Sequence, residues 1–210
     1  MTENGFFITL EGIEGVGKST QVNYLGELFR QLDRTVTITR EPGGTLVGEA
    51  IRNILLNSKD LDISIETELL LMFAARAQHL HQIIKPALAR KEVVICDRFT
   101  DASFAYQGAG RGIPREKIKL LQNWVQGELH PDLTFLLDAS VETGLERAGK
   151  RSEPDRFESE PMAFFNAVRQ EYLKIAAAEP DRVIVIDASV EPAKVEKQIY
   201  SALQGKNYLC

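Results

Sequence analysis

The most constraining feature of the chain is a glycine-rich segment near its beginning, GIEGVGKS at residues 12–19. It fits the pattern G-x-x-x-x-G-K-[ST], follows the apolar run FFITL (6–10) and precedes a stretch with helical periodicity. Between a strand and a helix, successive backbone N–H groups and the helix N-terminus can point at one anion. The segment therefore predicts a phosphate-binding loop, which in turn favours an α/β fold.

Five short apolar runs predict the strands: 6–10, 35–39, 93–96, 133–137 and 182–187. Runs that are apolar on both faces suit a parallel sheet covered by helices, and the segments between them are long enough for crossover helices. We therefore predict a single domain over 1–210 with the P-loop NTPase fold, in which helices flank a doubly wound, five-stranded parallel sheet. The longest helix is expected over 66–89, with Pro86 as the candidate for a kink.

Composition excludes several classes of function. With 44% apolar and 26% charged residues, and no apolar run near the ~18 residues of a membrane span, we expect a cytoplasmic protein without membrane contact. The N-terminus lacks the basic region of a secretory signal, and two cysteines, Cys96 and Cys210, do not make a disulfide framework. A net charge of −5 argues against a nucleic-acid partner.

A second segment, RAGKRSEPDRFESE at 147–160, is densely charged and contains Pro154. Its low apolar content predicts an exposed, mobile lid inserted between helices. Three arginines lie in it, and each has two readings: it can bind phosphate, or it can pair with a neighbouring acidic side chain.

The phosphate loop also assigns roles to individual residues. Lys18 supplies a charge for the β- and γ-phosphates, and the Ser19 hydroxyl is placed to coordinate Mg²⁺. We expect the nucleotide to contact the whole loop: Gly12, Ile13, Glu14, Gly15, Val16, Gly17, Lys18, Ser19 and Thr20. The guanine-reading N-K-x-D and the switch motif D-x-x-G are both absent from the sequence, which argues against a GTPase. Asp97 and Arg98 end a predicted strand, at the sheet edge where such folds bind ligands.

Six ordered features identify a family: EGIEGVGKST (11–20), TREPGGT (39–45), FAAR (73–76), DRF (97–99), AYQG (105–108) and the arginine-rich lid. Together they resemble the bacterial thymidylate kinases, from the first strand to about Tyr172. The resemblance implies a homodimeric enzyme that uses Mg²⁺ to transfer the γ-phosphoryl group of ATP to thymidylate (dTMP).

The resemblance also implies which residues act in catalysis. Glu14 would accept a hydrogen bond from the 3′-hydroxyl of the acceptor sugar, and Arg98 would clamp the acceptor phosphate, helped by Arg52. Where some relatives carry a catalytic arginine after the loop glutamate, this chain has Gly15, so the cation would come from the lid, at Arg151. The implied catalytic set is Arg151, Lys18, Arg98 and Glu14.

Metal and base recognition are implied in the same way. Asp97 would hold Mg²⁺ through water together with Ser19; alternatively it caps its strand or pairs with Arg98. Arg76 would donate to a carbonyl of the base and Phe73 would stack on the ring, although Met72 stands where many relatives have an aromatic residue. The implied acceptor-binding set is Glu14, Pro42, Arg52, Phe73, Arg76, Arg98, Ser103, Tyr106 and Gln107. A kinase for another nucleoside monophosphate, or a slowly hydrolysing switch or scaffold, stays as an alternative.

Overall fold

The structure of the chain is a computed structural model that describes residues 5–57, 61–150, 155–206 and 208–209. Its sheet contains β1 (Phe6–Glu11), β2 (Val36–Arg40), β3 (Val93–Asp97), β4 (Leu133–Asp138) and β5 (Val183–Asp187). All neighbouring strands run parallel, in the order β2-β3-β1-β4-β5. The predicted five-stranded parallel sheet is therefore confirmed.

The strand order explains where a ligand can bind. β1 lies in the centre with β3 on one side and β4 on the other, so the chain leaves its first strand toward one edge and later returns to the other. Such a reversal opens a crevice beyond the carboxyl ends of the strands. The predicted phosphate loop follows β1, and Arg98 follows β3, so both border this crevice.

The described residues contain nine α-helical segments: α1 (Lys18–Gln31), α2 (Leu46–Asn57), α3 (Ile65–His79), α4 (Lys85–Ala89), α5 (Thr100–Ser103), α6 (Arg115–Gln126), α7 (Val141–Gly149), α8 (Met162–Ala178) and α9 (Pro192–Gly205). Two π-helical segments extend them: Leu80–Ile84 joins α3 to α4, and Phe104–Gly110 continues α5. Within the described ranges, none of the helices has the length and apolarity needed to cross a membrane.

The predicted long helix is confirmed as the continuous path α3, π segment and α4. Its irregularity lies just before Pro86. Proline has no N–H to donate to the carbonyl four residues earlier, so the helix interior loses a hydrogen bond there. A single wider turn is a common way for a helix to absorb such a break.

The core lies on both faces of the sheet because alternate residues of each central strand point to opposite sides. In β1, Phe6, Ile8 and Leu10 enter the larger apolar cluster, whereas Phe7 enters a smaller one that also contains Leu80. All six residues of β1 are buried. The two clusters hold the central strand from both sides and fix the position of the loop that follows it.

Two leucines, one within α1 and one at its C-terminal cap, provide a test of how α1 packs on the core. Leu25 is fully buried, whereas Leu32, at the C-terminal cap of the same helix, is 40% exposed. Leu25→Ala should lower the free energy of unfolding by about 2–5 kcal/mol, because it removes buried methyl groups and leaves a cavity. The matched Leu32→Ala should change it by less than about 1 kcal/mol. Urea denaturation of both variants measures the difference, and equal losses would contradict the placement of α1.

Candidate active site

The phosphate loop has the conformation that its sequence predicts. β1 ends at Glu11, and α1 begins at Lys18 directly after Gly17, whose φ of 92° lies in the left-handed region that favours glycine. The Lys18 ammonium donates to the carbonyl oxygens of Gly12 and Ile13 at 3.1 and 2.7 Å. Burial, and then the nearby charge of Arg98, lower the pKa of Lys18 to about 8. A bound anion would offset both effects and raise the pKa again, since it favours the charged ammonium.

Gly15 lies against the backbone of α7. A Cβ atom at this position would approach the carbonyl oxygen of Gly144 to 1.8 Å, and the φ of Gly15 is 72°. Only glycine satisfies both conditions. The absence of a loop arginine in the sequence therefore has a local structural reason, since no side chain fits between the loop and α7.

Glu14 is turned toward the end of β3. Its Oε1 accepts from Arg98 Nη2 at 2.9 Å, and the Tyr106 hydroxyl lies 2.7 and 2.8 Å from its two oxygens. The Arg98 guanidinium also lies 4.7 Å from the centre of the Tyr106 ring. The negative charge within the loop is therefore matched by a cation, and Glu14 stands beside the group predicted to bind the acceptor phosphate.

Arg98 is positioned by residues that the sequence analysis did not single out. Its φ of 69° lies in the left-handed region, a strained conformation for a residue with a side chain. The Glu11 carboxylate accepts from the next backbone N–H, that of Phe99, at 2.7 Å, and from the Tyr172 hydroxyl at 2.8 Å. Tyr172 in turn accepts from Arg98 Nη1 at 3.2 Å. Glu11 thus fixes the backbone directly after Arg98, and it also fixes Tyr172, which contacts the Arg98 side chain.

Cationic groups converge on one pocket of about 210 Å³. Arg40, Arg52, Arg98 and Lys18 all line it. Burial, followed by the charge of Arg40, lowers the pKa of Arg52, and Arg98 acts in the same direction. Arg52 Nη1 donates to the Pro42 carbonyl at 3.0 Å, which holds the side chain in place. Like charges held this close without full compensation are typical of an anion site.

A second group of residues in the pocket is centred on Arg76, which is 2% exposed. Its Nε donates to Glu41 at 2.7 Å, its Nη1 to the Ser103 hydroxyl and its Nη2 to the carbonyl of Phe99, both at 3.1 Å. Five guanidinium N–H groups are available, so two are left for a ligand. The Glu41 carboxylate also lies 2.9 Å from His79 Nδ1, which places a buried histidine behind the site.

Phe73 and Met72 occupy different places. Phe73 is 2% exposed and packs in the core under Arg76, with the guanidinium 4.6 Å from its ring centre. Met72 is half-buried and lines the pocket. The two positions lie one residue apart on α3, so the helix turns only one of them toward the ligand space.

Two oxygen ligands suit a magnesium ion. Asp97 Oδ1 is buried and has no hydrogen-bond partner within the described residues, and the exposed Ser19 hydroxyl lines the same pocket. No group of three or more acidic, histidine or cysteine side chains that could hold a metal occurs in the described ranges. Mg²⁺ typically takes one or two protein oxygens and completes its shell with phosphates and water, so the residues present fit this ion.

The second half of the predicted lid is packed rather than exposed. Arg156 Nε donates to the Leu55 carbonyl at 2.8 Å and its Nη2 to Glu68 at 2.6 Å, so its side chain ties the lid to α2 and α3. Phe157 is 5% exposed and packs edge to face on Tyr106. Arg147 donates to the carbonyls of Ala188 and Ser189. Arg151 lies outside the described residues.

The structure brings most of the predicted site residues to one pocket. Its lining includes Glu14, Gly15, Gly17, Lys18, Ser19, Pro42, Arg52, Arg76, Asp97, Arg98, Ser103, Tyr106 and Gln107. Among the predicted residues that the structure describes, five do not line it: Gly12, Ile13, Val16, Thr20 and Phe73. Ile13 and Val16 are core residues, whereas Thr20 is exposed on α1.

Some residues of the site were missed. Arg40 and Glu41 line the pocket, and Glu11, Tyr172 and Glu68 support residues that line it. Arg40 and Glu41 stand inside a quoted motif, TREPGGT, so their position after β2 could have indicated them. Glu11 likewise stands in a quoted motif, EGIEGVGKST, at the end of β1. Tyr172 and Glu68 carry no local signal, because their partners lie tens of residues away in sequence.

A phosphate loop that shares one pocket with a second anion site defines the class: a P-loop enzyme that transfers a phosphoryl group between two bound molecules. The family model for thymidylate kinase matches residues 10–199. The chain is 54% identical over 202 residues, 96% of each chain, to the thymidylate kinase of Pseudomonas entomophila (strain L48). It is 54% identical over 206 residues, 98% of each chain, to that of Ectopseudomonas mendocina (strain ymp).

A solved structure agrees with these relatives. The crystal structure of thymidylate kinase from Ehrlichia chaffeensis superposes with a TM-score of 0.78 at 36% sequence identity, covering 95% of this chain and 98% of the other. The family model and the curated relatives span nearly all of the chain. The chain belongs to the thymidylate kinase family.

The buried carboxyl of Glu11 provides a pH-dependent test of the site. Burial, and then the charge of Asp101, raise its pKa from 4.5 to about 7. Because the folded protein holds this proton more tightly than the unfolded chain, the stabilisation is present below pH ~4.5 and is lost as the pH rises through ~7. Glu11→Gln has no carboxyl that titrates at this position, so this loss does not occur in the variant. Between pH 4.5 and pH 8, the difference in the free energy of unfolding between Glu11→Gln and wild type should therefore shift by about 3 kcal/mol in favour of the variant.

Chemical denaturation of the two proteins across this pH range measures the effect. Glu66→Gln, the same change at an exposed site on α3, is the matched control and should follow the wild-type pH dependence. Parallel curves for Glu11→Gln and wild type would show that the Glu11 carboxyl is not perturbed.

Proposed function

We propose that this chain transfers the γ-phosphoryl group of ATP to the phosphate of dTMP, giving dTDP and ADP with Mg²⁺ as cofactor. One observation carries the proposal: the same pocket is lined by the phosphate loop, by Arg52 and Arg98, and by Arg76 and Gln107. Both phosphates can therefore meet where the cations converge, while the acceptor base lies further along the pocket.

The donor side uses the loop from Gly12 to Thr20. Its backbone N–H groups and the start of α1 bind the phosphates, and the Lys18 ammonium exchanges its carbonyl partners for phosphate oxygens. Ser19 and Asp97 would hold the magnesium ion. When bound, the ion neutralises charge on the β- and γ-phosphates and orients them for in-line transfer.

The acceptor side uses arginines for the phosphate and a carboxylate for the sugar. The planar forks of Arg98 and Arg52 match phosphate oxygens better than a point charge does. Glu14 can only accept hydrogen bonds when ionised, so it suits a sugar 3′-hydroxyl and repels phosphate. Tyr106, which contacts Glu14 and is 6% exposed, supplies the bulk that disfavours a ribose 2′-hydroxyl.

The base lies against Met72 and Arg76 in this proposal. The two unused N–H groups of Arg76 can donate to a carbonyl of thymine, and Ser103 and Gln107 line the same end. Phe73 acts from beneath by packing on the guanidinium of Arg76. The side chain that covers the base ring is then Met72, whose flexible thioether adapts to an aromatic face.

No covalent intermediate is needed, because the acceptor phosphate is already ionised. The protein aligns two anions, spreads positive charge along the transferred group and excludes water while the lid is closed. We assign the lid cation to Arg151. Arg147 donates to two backbone carbonyls, and Arg156 donates to a backbone carbonyl and to Glu68. We therefore assign structural roles to both arginines.

The acceptor specificity tests the proposal directly. ADP release from ATP–Mg²⁺ should be fast with dTMP, about tenfold weaker with dUMP, which lacks one methyl group, and near background with UMP, dCMP, AMP and GMP. A different preferred acceptor would keep the phosphate loop and discard the base site. Slow hydrolysis that ignores the acceptor would instead indicate a switch or scaffold.

The lid cation has a separate test. Arg151→Ala should lower kcat about 10³-fold, the scale on which such arginines act on phosphoryl transfer. Lys150→Ala is the matched control, since this neighbouring cation is exposed and pairs with Glu146 four residues earlier. Its kcat should stay within about twofold of wild type. A kcat for Arg151→Ala within a few-fold of wild type would remove the assignment.

We propose further that the enzyme is a homodimer working in the cytoplasm, where its donor ATP is available. Apolar side chains on the adjoining helices α3 and α6 support a dimer: Leu70 is 55% exposed, Leu120 66% and Trp124 80%. Burying these three residues against a second copy removes apolar surface from water.

A further inference from the structure

Glu68, on α3, is a buried carboxylate behind the base end of the pocket. It is 1% exposed and accepts from three side chains of other elements. Gln107 Nε2 donates to its Oε1 at 2.9 Å, Arg111 Nε donates to the same oxygen at 3.3 Å, and Arg156 Nη2 donates to its Oε2 at 2.6 Å. None of these contacts belongs to the phosphoryl-transfer chemistry derived above.

The chemistry of a carboxylate fixes the direction of the Gln107 amide. Two arginines pair with Glu68, so its ionised oxygens can only accept hydrogen bonds. The NH₂ group of Gln107 must therefore face Glu68, and the amide cannot turn over without placing oxygen against oxygen. Its carbonyl Oε1 has no partner within the described residues, and Gln107 lines the pocket. The ligand thus meets an acceptor and not a donor.

We propose that Glu68 is a specificity-determining positioning residue, which presents the Gln107 carbonyl oxygen to the acceptor base and thereby selects a pyrimidine that carries an N3–H donor. The inference rests on the proposed function, in which the base binds at this end. Thymine and uracil have the N3–H group, whereas the cytosine N3 is an acceptor. With cytosine, two acceptors would face each other in a buried site, which is a strong basis for rejection.

The change Glu68→Gln reverses the arrangement with little change of shape. Arg156, which makes the shorter bond, retains the new side-chain oxygen, so the amide nitrogen of the variant takes the place of Oε1 and faces Gln107. Arg111 Nε gives up its 3.3 Å bond to that position. The Gln107 oxygen then turns to accept from it, and the Gln107 NH₂ group faces the base. The site now offers a donor to N3, which suits cytosine and opposes thymine.

The measurement is the ratio of kcat/KM for dTMP to kcat/KM for dCMP. In Glu68→Gln this ratio should fall by about 10- to 100-fold, the range expected when a buried polar group changes from paired to unpaired. Glu160→Gln is the matched control. It makes the same chemical change in the same network, because Glu160 pairs with Arg111, but it does not contact Gln107, so its ratio should stay within about twofold of wild type.

Three outcomes would overturn the proposal or separate it from the proposed function. Equal losses with both substrates in Glu68→Gln would show a purely structural role for Glu68. If that variant does not fold, Gln107→Met removes the same acceptor, and an unchanged ratio there would show that the base does not meet the Gln107 oxygen. A wild-type enzyme that prefers a purine acceptor would instead overturn the proposed function.

Discussion

The direction of the Arg98 side chain depends on a carboxylate that it does not touch. Glu11, the last residue of the central strand, accepts from the backbone N–H that follows Arg98 and from the tyrosine hydroxyl that Arg98 contacts. One buried residue thus joins β1, the end of β3 and α8. The loop that begins after Glu11 and the arginine that follows β3 therefore share a single anchor, and the distance between them follows from it.

The local charge of the site opposes the charge of the whole chain. The net charge is −5, yet Lys18, Arg52 and Arg98 crowd together, and the pKa of Lys18 falls to about 8. Such crowding is unfavourable in the free protein and is relieved by phosphate, so part of the binding energy for an anion is stored in the arrangement of the cations. A short-range arrangement of this kind does not appear in the overall composition.

Much of the fold follows from the sequence because its signals are local. The five apolar runs became the five strands with ends within a residue or two, and the glycine spacing predicted the loop conformation. The packing of the lid could not be predicted in the same way. Phe157 and Arg156 lie in a highly charged segment, but they contact Tyr106, Leu55 and Glu68, which are far away in sequence.

The site shows the same division between local and distant information. Residues inside motifs, such as Lys18 and Arg98, line the pocket that the sequence analysis expects them to share. Phe73 and Met72 are neighbours on one helix, and only tertiary packing decides which of them faces the core and which faces the pocket. The supporting carboxylate Glu11 stands in a quoted motif and Glu68 stands outside all of them, but in both cases the partners that define the role lie far away in sequence.

Gly15 packs so closely against Gly144 that the phosphate loop and α7 move together. A methyl group would not fit between them, so neither backbone can approach or rotate without displacing the other. α7 ends at Gly149 and leads directly into the lid segment. Any movement of this helix must therefore be transmitted to the phosphate loop, and a cationic side chain cannot be introduced at Gly15 without rebuilding the helix beside it.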